Sequence, residues 1–275
     1  GIGMADEDPV FETTTGPVRV ITAASLFDGH DAAINVMRRL IQSSGAEVIH
    51  LGHDQSAKAV VDCAVQEDAH AVALTSYQGG HVEYFTYIRQ LLDEAGCEHV
   101  RIFGGGGGTI TPPEIRTLHQ SGISKIYSPD DGRTMGLMGM IHHLMGLASE
   151  VDLIGNERLS SLDGPVTPDD MAKVGLLMTL SESADEATFK AAVEKARSSE
   201  KEVPVIGFTG TGGAGKSSLL DELMLRIQRD NPGKKVCLLC VDPTRKRTGG
   251  ALLGDRIRMN SLSNNDLFMR SLASR

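Results

Sequence analysis

Between residues 18 and 147, short apolar runs alternate with stretches whose apolar positions recur every three or four residues. The runs Val18–Ala24, Glu47–Leu51, Ala71–Thr75, Val100–Phe103 and Lys125–Tyr127 are mostly β-branched or aliphatic and lack a polar alternate face, the pattern of strands covered on both sides. The helical period falls at Ala32–Ser43, Ser56–Glu67, Val82–Ala95, Pro113–His119 and Thr134–Leu147. Strand then helix, five times over, requires crossover connections and so a parallel sheet with helices on both faces. Residues 18–147 are therefore expected to form a flavodoxin-like, Rossmann-type doubly wound α/β domain, with 1–17 as a tail.

The pattern then changes. SLDGPVTPDD is turn-rich, and the helical segments Met171–Leu180 and Ala187–Arg197 follow a proline with acids in the next turn, a helix-start signal. Residues 148–202 read as a helical linker. At 203 a second α/β unit opens, with strands at Val205–Thr209 and Val236–Val241 around a helix at Ser218–Gln228.

Between that strand and helix lies GTGGAGKSS, which satisfies G-x-x-x-x-G-K-[ST] in the strand-to-helix setting that gives the pattern its meaning. Gly210, Gly212, Gly213, Ala214 and Gly215 let successive N–H groups converge on phosphate oxygens, and the helix N-terminus adds partial positive charge. Lys216 would bridge the outer phosphates as the catalytic cation, the Ser217 hydroxyl would bind Mg2+, and Ser218 completes the loop. Residues 203–275 thus read as the first part of a P-loop domain. Asp242, at the end of the next strand, and Asp255 are candidate magnesium carboxylates or ordinary loop acids, and Arg258 is a candidate nucleotide contact. The run Arg245-Lys246-Arg247 is either a phosphate-facing patch or a solvated one.

A length of 275 residues suits two domains. The formal charge of −9 disfavours a nucleic-acid or anionic-membrane surface, and no apolar run reaches the roughly 20 residues of a spanning helix. Cys63, Cys97, Cys237 and Cys240 form neither a disulfide framework nor a zinc ribbon, so a reducing cytoplasm is the expected location. Thirty-one glycines against no tryptophan fit tight turns around aliphatic cores. Met135, Met138 and Met140 read as core filler.

The phosphate loop together with VDP and TGGALLGDRIRM resembles the G-protein chaperones that serve cobalamin-dependent acyl-CoA mutases. That resemblance implies GTP as the nucleotide, although no N-K-x-D guanine-reading motif occurs in the sequence. It also directs attention to FDGHDAA at residue 27, where His30 alone could be a cap, a metal ligand or a surface residue. Asp28-x-His30-x-x-Ala33 after the first strand, Thr75-Ser76-Tyr77 after the third and Gly104-Gly105 after the fourth resemble the D-x-H-x-x-G, S-x-L and G-G signature of base-off cobalamin-binding domains. Ala33 replaces the usual glycine, and Thr75 and Tyr77 replace the usual serine and leucine.

The resemblance implies that neutral His30 holds cobalt while Asp28 accepts a hydrogen bond from the other ring nitrogen. Gly29, Asp31, Thr75, Ser76, Tyr77, Gly79, Gly80, His81, Gly104, Gly105 and Gly106 would line the slot for the nucleotide tail. Gly105 would be needed if backbone packs closely against that tail. His81 is open between a contact with the corrin face or the tail, a cap and solvent; His53, His142 and His143 carry less information.

The two halves in one chain resemble the fused isobutyryl-CoA mutases. That resemblance implies an adenosylcobalamin-dependent interconversion of isobutyryl-CoA and n-butyryl-CoA, with GTP hydrolysis gating cofactor loading. It also implies an acyl-CoA-binding (β/α)8 barrel that this sequence lacks, an adenosyltransferase as cobalamin donor and a homodimer. The sequence reads as the N-terminal portion of such an enzyme, inactive by itself. Two other classes stay open: a corrinoid methyl carrier, and a nonenzymatic cobalamin-loading chaperone or sensor with a nucleotide switch.

Overall fold

The computed structural model describes residues 8–25, 31–210, 215–242 and 266–273. A hairpin of β1 (Glu12–Thr13) and β2 (Gly16–Pro17) leads into β3 (Arg19–Ser25), which is buried along its whole length. There follow α1 (Asp31–Ser43), β4 (Glu47–Gln55), α2 (Ala57–Gln66), β5 (Ala71–Thr75), α3 (His81–Glu94), β6 (Arg101–Gly105), α4 (Pro112–Gln120), β7 (Lys125–Tyr127) and α5 (Pro129–Ser149). The five longer strands are all parallel in the order β4-β3-β5-β6-β7. This is the flavodoxin-like order, second strand outside the first.

Period-two alternation explains why these strands needed two covering layers. Ile21, Ala23, Val72, Leu74 and Ile102 enter one core with Val60 of α2, Phe85 and Ile88 of α3 and Leu118 of α4. Val20, Val48, Ala71, Ala73 and Phe103 enter the opposite core with Ile41 of α1 and Ile141 and Leu144 of α5. Helix starts are fixed chemically. The Ser56 hydroxyl accepts from Ala59 N, while Thr111 and Ser128 form capping boxes with Glu114 and Asp131 in front of Pro112 and Pro129. The Ser128 box explains why α5 begins ahead of the expected Thr134. Gly136, at φ +69°, breaks it internally. Met135 and Met140 pack against the core, but Met138 is exposed rather than buried.

Residues 150–202 carry α6 (Asn156–Ser160), α7 (Met171–Ser183) and α8 (Glu186–Ala196), which enclose a small core of Leu162, Val166, Leu176, Leu180 and Ala196. Beyond it come α9 (Lys216–Asp230), β8 (Val236–Asp242) and β9 (Leu267–Ala273), with β8 and β9 parallel. Two expectations fail here. Val205–Thr209 forms no strand, and Val205 is 94% exposed: a strand persists only beside a hydrogen-bonding neighbour, and among the described residues none lies beside this segment. Conversely, β9 was not expected, since Arg270 and Ser271 interrupt its apolar run. Cys237 is exposed, Cys240 half-buried, and all four cysteines are free. Among the described residues no helix is long and apolar enough to cross a membrane.

Candidate functional site

Because β5 lies between β3 and β6, the segments that follow all three open from one sheet edge. Thr75 pairs with Ala24 on one side and Gly105 on the other, and Ser76 N donates to Gly105 O at 2.9 Å. Asp28, Gly29 and His30 lie outside the described residues. In sequence they fall between Ser25, which ends β3, and Asp31, which starts α1.

Thr75 is buried, and among the described residues its Oγ1 has no hydrogen-bond partner. An unsatisfied buried hydroxyl costs about 1–3 kcal/mol, so it is informative at the carboxyl end of a parallel strand. Its neighbour Ser76 is satisfied: its Oγ accepts from the Ser25 hydroxyl at 3.2 Å and lies 2.8 Å from His81 Nδ1. His81 is the first residue of α3 and is only 4% exposed, which removes the solvent reading left open by the sequence. Gly80 caps that helix at φ +82°, a left-handed conformation natural to glycine. Tyr77 is half-buried and Gly79 exposed beside it.

The glycines after β5 and β6 divide by role. A Cβ on Gly104 would lie 2.4 Å from the Phe85 ring, and one on Gly106 2.0 Å from the Ser76 carbonyl oxygen. A Cβ on Gly105 would meet Tyr127 O at an ordinary 3.6 Å. Within the chain, tight packing falls at Gly104, against Phe85 of α3, and at Gly106, against the Ser76 carbonyl. Gly79, Gly80 and Gly108 face open space. Small residues with an unpartnered hydroxyl suit the entry of an elongated polar group. Further back, Tyr84 Oη donates to Gln55 O at 3.0 Å, and burial holds the phenol above its usual pKa. The Tyr127 hydroxyl is 2.8 Å from His143 Nδ1, and His142 packs on Phe11, so both histidines serve packing.

In the second half, Gly215 caps α9 at φ +80°, Lys216 and Ser217 are its first two residues, and Ser218 is exposed. The first N–H groups of this 15-residue helix have no intrahelical acceptor, which is what an anion site at a helix start needs. Gly210 is exposed just before the loop, and Asp242 is the last residue of β8. Gly212, Gly213, Ala214, Asp255 and Arg258 lie outside the described residues, as does the run Arg245-Lys246-Arg247. Among the described residues no cluster of three or more His, Cys, Asp or Glu side chains could hold a metal ion. Ser25 and the buried place of His81 were not foreseen, although Ser25 lies only two residues before FDGH.

Residues 18–128 match the B12 binding domain family, and residues 174–275 match the methylmalonyl Co-A mutase-associated GTPase MeaB family. The fused isobutyryl-CoA mutase of Geobacillus kaustophilus is 51% identical over 269 residues, covering 94% of this chain, and that of Nocardia farcinica is 52% identical over 260. The chain belongs to the fused isobutyryl-CoA mutase family. It spans about 24% of the length of those two fused isobutyryl-CoA mutases. The chain also resembles the 2-hydroxyisobutanoyl-CoA mutase small subunit of Aquincola tertiaricarbonis, 33% identical over 115 residues, 42% of this chain and 82% of that subunit. A cobalamin-binding domain followed by a GTP-binding domain is thus the organisation of this family member.

Proposed function

We propose that this chain is the cofactor- and nucleotide-handling part of an adenosylcobalamin-dependent mutase that interconverts isobutyryl-CoA and n-butyryl-CoA. The observation that carries the reading is the buried Thr75 hydroxyl, without a partner among the described residues, at the edge shared by β3, β5 and β6; in sequence His30 follows β3 by five residues. Neutral His30 would hold cobalt, and Asp28 would accept the hydrogen bond that sets the imidazole tautomer. The Thr75 hydroxyl would bond the detached nucleotide tail, and Gly29, Asp31, Tyr77, Gly79 and Gly80 would border it. Ser76, held by Ser25 and His81, would position the turn rather than the tail. When bound, adenosylcobalamin supplies the radical chemistry of the rearrangement.

In the nucleotide half, Lys216 would neutralise the outer phosphates of GTP, while Ser217 with Asp242 or Asp255 would hold Mg2+ and Arg258 would contact the nucleotide. Hydrolysis would gate cofactor loading. The acyl-CoA would bind in a (β/α)8 barrel outside this chain, in a cytoplasmic homodimer supplied by an adenosyltransferase. The 275 residues alone are expected to turn over neither substrate.

An ultraviolet–visible titration with adenosylcobalamin tests the assignment. The unaltered chain is expected to give a base-off, histidine-ligated spectrum that His30→Ala abolishes. A free-cofactor spectrum with the unaltered chain would sink it.

A further inference from the structure

Among the described residues no strand lies on the edge of β9 away from β8. Side chains from the cobalamin half meet that edge instead. Gln66, the last residue of α2, donates to Leu267 O at 3.4 Å and accepts from Met269 N at 3.1 Å. The Glu67 carboxylate accepts from Ser271 N and from Ser271 Oγ, each at 3.0 Å, and Arg19 Nη1 donates to Ser271 O at 3.1 Å. Residues 267, 269 and 271 alternate as the outward peptide groups of one strand edge must, so the end of α2 stands in for a neighbouring strand. Edges left bare invite pairing with other chains; this one is closed by side chains of its own chain.

A second layer fastens the contact. Arg270 is 2% exposed and donates to Gln66 O, Gly175 O and Thr179 Oγ1 at 3.2, 3.3 and 2.9 Å, and to Glu182 at 3.0 Å. Arg19, which approaches the same Glu182 at 3.9 Å, is held by Glu47 at 2.8 Å and Glu67 at 3.2 Å. Gly175 lets α7 lie tight against α2, since a Cβ there would be 2.7 Å from Val65 O.

What meets here leads to both candidate sites. Arg19 opens β3, whose far end precedes the His30 loop, and β9 pairs residue for residue with β8, which ends at Asp242. Each strand has seven residues, about 20 Å of stiff backbone. We infer that the contact of the β9 edge with Gln66, Glu67 and Arg19 is the joint through which nucleotide occupancy changes cobalamin affinity. The inference rests on the cobalamin and GTP readings above, and Gln66, Glu67 and Arg270 act in it as positioning residues.

The test is made in the full-length protein with Gln66→Leu, which keeps side-chain bulk and deletes both edge bonds, and with Glu67→Gln. Hydrogen exchange at the amides of Met269 and Ser271 reports docking, and cobalamin titrations with and without GDP report coupling. In Gln66→Leu, exchange at Met269 is expected to rise about tenfold or more, the weight of one lost buried hydrogen bond. The GDP-linked shift in cobalamin affinity is expected to fall toward onefold, while affinity without GDP stays within about threefold. Unchanged exchange in both variants, or a full GDP effect once β9 has been released, overturns the joint. Failure of the unaltered protein to bind cobalamin would instead overturn the functional reading and the coupling with it, leaving the exchange rates to decide the docking alone.

Discussion

Thr75→Val separates a residue kept for a ligand from one kept for the fold. Valine matches threonine in shape and removes only the hydroxyl, whose Oγ1 is buried without a partner. In the ligand-free chain that group is a net loss. With a desolvation penalty of about 1–3 kcal/mol, the substitution is expected to stabilise by about 1 kcal/mol, the low end, because the pocket keeps its volume. For a chain of this size that corresponds to about 2–4 °C in Tm. In the cobalamin complex the same hydroxyl gains a partner, so its loss should weaken binding about tenfold, or about 1.4 kcal/mol. The two effects have opposite signs, which a general packing defect does not produce. Thermal melts of the cobalamin-free protein and absorbance titrations measure them, with Thr75→Ser as the control that keeps affinity. A cobalamin-free Thr75→Val protein less stable than the unaltered one, or one with unchanged cobalamin affinity, would falsify the reasoning.

Two further outcomes follow from the packing and the buried charges. Gly106→Ala should destabilise by about 3 kcal/mol, at the upper end for overpacking, because its Cβ would lie 2.0 Å from a backbone oxygen that cannot rotate away; a denaturant midpoint within error of the unaltered protein contradicts it. His70 accepts from Arg19 N at Nδ1 at 2.9 Å, and burial lowers its pKa to about 3. The unfolded chain therefore takes up a proton below about pH 6.5 that the folded chain refuses until about pH 3, so stability is full above that range and falls with acidification by at most about 1.4 kcal/mol per pH unit. His70→Asn should flatten this part of the dependence between pH 7 and 5 in urea titrations, and an unchanged slope counts against it.

What was legible in the sequence depended on whether the deciding interaction was local. The strands of the first half could be read because Val20, Ile21, Val72 and Ile102 are buried on both faces by helices adjacent in sequence. The three motif segments could be placed at one edge because in an all-parallel sheet every strand ends at the same edge, whatever the strand order. Val205–Thr209 has the composition of a strand, but pairing is a property of two segments, and composition describes one. For β9 the error runs the other way: Arg270 and Ser271 are tolerable inside only because Glu182, Thr179 and Glu67, far away in sequence, are there to meet them. The charge cluster of Arg19, Glu47, Asp68 and Arg158 was likewise invisible as scattered ionic residues. Asp68 even takes a left-handed turn, φ +48°, with Arg158 and Thr179 on its carboxylate. At the candidate site the identities of Thr75 and His81 could be read, but not that one hydroxyl is left over while the other is held from two sides.

The joint at β9 also orders events in time. Ser271 and Glu67 are 204 positions apart, whereas every pair of neighbours in the five-stranded sheet is joined by far shorter crossovers. Closing so long a loop is entropically slow and gains nothing until the surface at its end exists. The cobalamin half can therefore assemble while the later residues are still unstructured, with Arg19 already neutralised by Glu47 and Glu67. In that order β9 arrives last, as a guest on a finished surface, and its docking becomes a checkpoint that only a correctly folded first half can pass.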